Sequence, residues 1–159
     1  EDTVEANSQR IKALQDEKFT SVLEFACGDG QNLRAIKDSF PNVMVDGFDI
    51  DPNLDYTKGN IMQRPLPYER KSFDIVLIAA TLLLFGDADV KSILKEAKRI
   101  AKKTIIIVEY QSETNEVFDV GFSVGNRITR NYRNFFPNKD LKIVLDAPAW
   151  HGSVMKIVL

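Results

Sequence analysis

The sequence is poor in the residues that cross-link or metallate a fold. It holds one cysteine, Cys27, and one histidine, His151, in 159 residues. A single cysteine excludes an internal disulfide. With a single histidine it also leaves no His/Cys set for a zinc site, so no metal is expected. An excess of one charge is missing too: 21 Lys and Arg stand against 23 Asp and Glu. A net charge of −2 gives the whole chain no long-range pull on nucleic acid. The longest apolar run, residues 75–85, is too short to span a bilayer, so no membrane partner is expected. The opening EDTVEANSQR is polar and lacks a signal-type apolar core, which suggests a cytoplasmic chain. What is present is ordinary: 44% hydrophobic and 28% charged residues, enough to build a core. The length predicts one domain over 1–159, with no repeat or low-complexity tract, and leaves the oligomeric state open.

Periodicity divides the chain into alternating elements. Residues 4–17 read as a weakly amphipathic helix. Residues 20–26 read as a strand, 30–40 as a helix with Leu33, Ile36 and Phe40 on one face, and 43–49 as a second strand. Too few residues separate Asp49 from Asn60 for the usual crossover helix, so that helix is reduced or missing, with a short strand at 56–59. Residues 73–80 are apolar on both faces, as a buried parallel strand is. Val90, Ile93, Leu94, Ala97, Ile100 and Ala101 make a stripe at helical spacing. Asp87 and Asp89 lie at its start and Lys102 and Lys103 at its end, each matching the helix dipole. Residues 104–108 form another apolar strand, and 141–145 and 154–159 a final antiparallel pair. The pattern predicts a doubly wound, mostly parallel α/β sheet, with its ligand site at the carboxyl ends of the strands.

The stretch VLEFACGDGQNL, residues 22–33, places a glycine turn at such an end. A dinucleotide fingerprint needs a third glycine, and Leu33 follows Gly28 and Gly30 instead. Glu24 and Asp29 beside the turn would repel a pyrophosphate, which disfavours an NAD-linked oxidoreductase and suits a cationic cofactor. The plain alternative is a tight strand-to-helix turn. Asp49 lies 19 residues after Gly30, near the spacing of a ribose-binding carboxylate; its plain alternative is a turn acid before Pro52.

These motifs resemble those of the class I S-adenosylmethionine-dependent methyltransferases. VLEFACGDG is similar to the acidic residue and G-x-G-x-G of their first motif, and GFDIDP to their ribose-binding motif. GNIMQRPLPYERKSFDIVLIAATLLLF resembles the adenine-contacting stretch and fourth strand. VKSILKEAKRIAKKTIIIVEY resembles the helix and fifth strand after it. The likeness runs in order from about residue 20 to 110 and implies a Rossmann-like fold with S-adenosylmethionine as cofactor and S-adenosylhomocysteine as product. It implies that Glu24 orients the methionine ammonium, that Ala26, Cys27, Gly28 and Gly30 line the methionine portion, and that Asp49 holds the ribose. Ile50 would pack on adenine, Asn60 and Ile61 would meet its edge, and Ala79 and Ala80 would lie under the sulfonium. Ala26 stands where the family has its first glycine, and Asn60 where it usually has aspartate. KKTIIIVEYQSETNEV is also similar to methylases of nonulosonic (pseudaminic) acid biosynthesis, but their following Tyr-Arg-Gly-His segment is absent.

Methyl transfer is an in-line displacement, so positioning dominates and a base is needed only if the acceptor must lose a proton. Glu109 and Tyr110, ending the fifth strand, and His151, beside Trp150, are the candidates. Glu109 could instead be a solvent-facing strand-end acid, His151 a solvated turn residue. Thr81 could donate near the methyl group or simply start the next element. In NRITRNYRNFFPNK, residues 126–139, Arg127, Arg130 and Arg133 recur at i, i+3 and i+6 on a predicted helix. They could clamp an anionic acceptor, or form a solvated face. The leading expectation is methyl transfer to a small, anionic or sugar-type metabolite. The alternatives are nucleic-acid methylation through the arginine helix, against which the acidic balance stands, or a non-catalytic partner subunit of the same fold.

Overall fold

The computed structural model describes residues 14–15, 18–110, 112, 117–118, 127–137, 141–145 and 153–159, with backbone only at 117, 118, 127, 144 and 145. The predicted helix at 4–17 lies outside these residues except at 14 and 15. The central elements are β1 (Ser21–Phe25), α1 (Gln31–Ser39), β2 (Met44–Asp49), β3 (Thr57–Lys58), β4 (Phe73–Ala79), α2 (Asp87–Ile100) and β5 (Ala101–Glu109). They are followed by β6 (Val117–Phe118), β7 (Arg127–Ile128), β8 (Leu141–Leu145) and β9 (Ser153–Val158). Seven strands form one sheet in the order β3-β2-β1-β4-β5-β9-β8. The first five of these pair in parallel, and β9 runs antiparallel to both β5 and β8. β6 and β7 form a separate pair.

Period-two alternation splits each central strand between two cores. Ile75 and Leu77 of β4 and Ile106 and Val108 of β5 face one core, with Ile36 of α1. Val76, Ile78, Ile105 and Ile107 face the other, under Val90, Ile93, Leu94 and Ala97 of α2. Each such side chain contributes about 1.5–3 kcal/mol on burial. That outweighs the few tenths by which β-branched Val90 and Ile93 disfavour a helix.

The short link after β2 behaves as the residue count predicted. Residues 50–56 pass between two parallel strands through turns, with no helix. Two expectations are corrected. Lys102 and Lys103 do not end α2; they lie in β5, where Lys103 pairs with the buried Asp74 at 3.4 Å. Lys98 and Arg99 take the last turn of the helix instead. Within the predicted helix at 126–139, the described residues 127–137 are not one either. Arg127 and Ile128 are in β7, and only Tyr132–Phe135 form a short 3-10 turn, opened by the Asn131 side chain accepting from the Arg133 amide. Phe136 closes it, and Pro137 beyond cannot continue it. Among the described residues no helix is long and apolar enough to cross a membrane.

Candidate functional site

The chain winds outward through α1 from β1 and through α2 from β4, so the switch point lies between these two strands. Immediately after each, the backbone turns left-handed at an alanine: φ is 52° at Ala26 and 50° at Ala80. Alanine in this region costs on the order of 1–2 kcal/mol, which is the physical reason a glycine suits position 26. Gly28 and Gly30 continue the turn at φ 53° and 79°. The turn is closed by its own backbone: the Gly30 amide donates to the Cys27 carbonyl at 3.0 Å, and the Cys27 amide to the Phe48 carbonyl at 3.2 Å.

Asp49, the last residue of β2, is bound to this turn. One carboxylate oxygen accepts from the Gly28 amide at 2.8 Å and the other from the Asp51 amide at 3.0 Å. A carboxylate offers about four acceptor sites, so Asp49 keeps capacity for further donors. Beside it opens a cavity of about 490 Å³, within the size range of small-ligand sites. Of the residues singled out from the sequence, Ala26, Asp49, Ile50, Asn60, Ile61, Ala80 and Thr81 line it. Phe48, Met62, Leu84 and Phe85 complete its apolar wall. Ile50 remains 67% exposed, an apolar face on the rim with no protein against it. The Asn60 side-chain oxygen accepts from the Met62 amide at 2.8 Å, which shapes the cavity floor.

Glu24 is buried in β1 and accepts from the Asn32 side-chain amide on α1. Asp29 turns to solvent; the Gln31 side chain first, and then its amide and Arg34, hold its carboxyl below the usual range. Cys27 is buried, and burial, then the Glu24 and Asp49 carboxylates, push its thiol up to about 12. It is therefore a protonated packing group. Its sulfur lies where a Cβ on Gly47 would stand, 2.5 Å away, so that glycine is required by close approach. The ring of Tyr56, from the 50–56 link, rests on Gly30: a Cβ there would stand 2.5 and 2.6 Å from two ring carbons and overlap the hydroxyl.

The opposite wall, from Thr81 to Phe85, is held from behind. Glu109, 1% exposed, accepts from the Thr81 and Leu82 amides at 2.6 Å each. Burial pushes its carboxyl up to about 7 against the pull of those amides and of Arg130. Arg130 is fully buried. Its guanidinium donates to the Leu82 carbonyl at 2.9 Å and to the Phe85 carbonyl, and pairs with Asp87 at 2.7 Å. One side chain thus grips the turn by its amides and the other by its carbonyls.

The structure brings the Asp49, Ile50, Asn60, Ile61 and Ala80 group together around one cavity. It does not bring the three arginines to one face. Arg130 points inward, and exposed Arg133 donates to the Leu141 carbonyl at 2.9 Å. The Arg127 side chain and His151 lie outside the described residues. Glu109 is neither solvent-facing nor a lining residue of the cavity, and Tyr110 is half-buried at the end of the same strand. Sequence reasoning missed Leu84 and Phe85, which read as a continuation of an apolar run, and Tyr56, whose role depends on Gly30 across the turn.

Residues 22–104 match the family described as a methyltransferase domain. No curated protein matches the chain significantly. Human N-acetylserotonin methyltransferase, solved in complex with SAM, superposes on 96% of the chain and 51% of its own, with a TM-score of 0.70 at 14% identity. The mitomycin 7-O-methyltransferase MmcR does so over 98% and 52%, with a TM-score of 0.70 at 17% identity. The SAM-bound amino pentose methyltransferase CalS10 from Micromonospora echinaspora covers 99% and 91%, with a TM-score of 0.69 at 13% identity. At these identities the likeness is one of fold, and the chain spans about half the length of the first two. The family match covers more than half of the sequence, and the sheet order and the glycine turn agree with it. The chain belongs to the methyltransferase-domain family, the class I S-adenosylmethionine-dependent methyltransferases.

Proposed function

We propose that this chain transfers a methyl group from S-adenosylmethionine to a small metabolite, of sugar or anionic type, by in-line displacement. One observation carries the reading: the Asp49 carboxylate, anchored on the Gly28 amide, borders an apolar cavity large enough for a nucleoside. The residues fit the cofactor. Asp49 can accept from two ribose hydroxyls, Ile50 and Phe85 offer apolar faces to a purine, and Glu24 supplies a buried carboxylate for an ammonium. When bound, the cofactor supplies an electrophilic methyl group. The chain's work is then orientation: the turn and the Thr81–Phe85 wall fix the approach, and apolar lining keeps water away. Glu109 acts through the wall it holds. Mitomycin and amino pentose acceptors in two fold relatives favour a small acceptor.

The nucleic-acid reading relied on an arginine helix, and it loses that support. The partner-subunit reading keeps one observation: among the described residues, no histidine, glutamate or lysine lines the cavity. A further fold relative is a methyltransferase solved with the Haloferax volcanii Trm112 activator, at 18% identity and a TM-score of 0.65.

Calorimetric titration with S-adenosylhomocysteine, NAD and the Asp49→Ala variant tests the proposal. The expected result is binding of S-adenosylhomocysteine and not NAD, weakened about 10- to 100-fold in the variant by loss of charged hydrogen bonds. No binding, or equal binding of NAD, overturns it. Turnover with an acceptor panel then separates enzyme from partner subunit.

A further inference from the structure

The open cavity covers only one end of the site assigned to the cofactor. Of the glycine-turn residues, only Ala26 lines it; Glu24, Cys27, Gly28 and Gly30 do not. The other end is covered by Tyr56. Its ring lies directly on Gly30, closely enough that no side chain at position 30 could coexist with it. Cys27, Arg34, Glu24 and Asp29 all act electrostatically on its hydroxyl, and burial first, then Cys27, raise its pKa. Tyr56 therefore sits among the residues that would receive the amino-acid end of the cofactor. The space left by the missing Cβ of Gly30 can hold the tyrosine ring or a ligand, but not both. The ring is carried by residues 50–56, a link without a helix, anchored beyond by the two-residue strand β3. The link is braced by turn bonds at Asp51, from the Asn53 amide and side chain and from the Leu54 amide, rather than by a packed helix, which leaves the half-buried ring less restrained than a helical side chain.

We propose that Tyr56 occupies the amino-acid end of the cofactor site and must be displaced for that end to bind, so that it sets the discrimination between the full cofactor and nucleosides lacking the amino acid. The inference rests on the cofactor reading above. Displacement scales the affinity for S-adenosylhomocysteine down to the intrinsic value multiplied by the fraction of time the ring is away. A nucleoside that stops at the thioether leaves the ring in place and has no such cost.

The test is calorimetric titration of the wild type, Tyr56→Ala and Tyr56→Phe with S-adenosylhomocysteine and with 5′-methylthioadenosine. The expected result is about tenfold tighter S-adenosylhomocysteine binding to Tyr56→Ala, with methylthioadenosine unchanged within twofold and Tyr56→Phe in between. Unchanged methylthioadenosine binding also shows that the variant is folded. Weaker S-adenosylhomocysteine binding to Tyr56→Ala would make the ring a clamp and overturn the proposal. Equal changes for both ligands, or no change for either, would overturn it too. Binding of S-adenosylhomocysteine to Tyr56→Ala alone supports it most strongly. Binding of neither ligand to any of the three proteins overturns the cofactor reading itself, and the proposal with it.

Discussion

The two sides of the cavity are built on different physics. On the β1–β2 side the backbone does the holding: a left-handed turn, short amide bonds and one half-exposed carboxylate at its edge. On the β4–β5 side the Thr81–Phe85 wall is held by two buried ionisable side chains, Glu109 at its amides and Arg130 at its carbonyls. The first arrangement is local and exposed enough to meet a ligand. The second is long-range and dry, and removing one partner there strands the group it held, at about 1–3 kcal/mol. The Asp49 side is therefore expected to tolerate the loss of a side chain at a smaller stability cost than the supporting side.

The strongest test of this contrast is Arg130→Met against Asp49→Ala. Removing the guanidinium orphans the Leu82 and Phe85 carbonyls, and urea unfolding is expected to show a loss of about 3–5 kcal/mol. Asp49→Ala is expected to cost less than about 1 kcal/mol while abolishing most ligand affinity. Comparable stability losses would erase the distinction.

A smaller effect sharpens it. Burial raises the Glu109 carboxyl from its ordinary 4.5 to about 7. Between those values the unfolded chain has released this proton while the folded chain keeps it, so this group makes stability fall as pH rises, and the fall ends above about 7. The contribution is on the order of 3 kcal/mol. Glu109→Gln, which can still accept from both amides, is expected to flatten that slope in unfolding midpoints taken at pH 5 and 8. An unaltered slope would place the titration elsewhere.

The smallest effect is on the turn itself. Ala26→Gly relieves the left-handed alanine but frees the unfolded chain, so a net gain of about 0–1 kcal/mol is expected. A clear loss would mean that the Ala26 methyl group packs where the backbone argument leaves it idle.

Legibility in the sequence follows the same division. Strands and α2 show because burial imprints periods of 2 and 3.6 on residues such as Ile75–Ile78 and Val90–Ala97. The Glu24, Gly28, Gly30 and Asp49 series shows because one turn and its neighbouring strand set its spacing. The missing helix after β2 shows by residue count alone. The supporting side was hidden. The i, i+3, i+6 spacing of Arg127, Arg130 and Arg133 mimics a helix face, yet Asn131 and Pro137 limit the helical turn to Tyr132–Phe135, and Arg130 faces inward. Lys102 and Lys103 look like helix-ending cations, and β5 begins one residue earlier, at Ala101. Asn131 and Pro137 act locally, whereas Asp87 and Leu82 for Arg130, and Asp74 for Lys103, are partners distant in sequence.

That distance has a consequence in time. Arg130 lies 43 residues beyond Asp87 and 48 beyond Leu82. A ribosome finishes the glycine turn, β2 and β4 well before it reaches the codon for this arginine. The nascent chain thus has the Asp49 edge of the cavity early and the opposing wall late, so the cavity becomes whole only once residue 130 has been made.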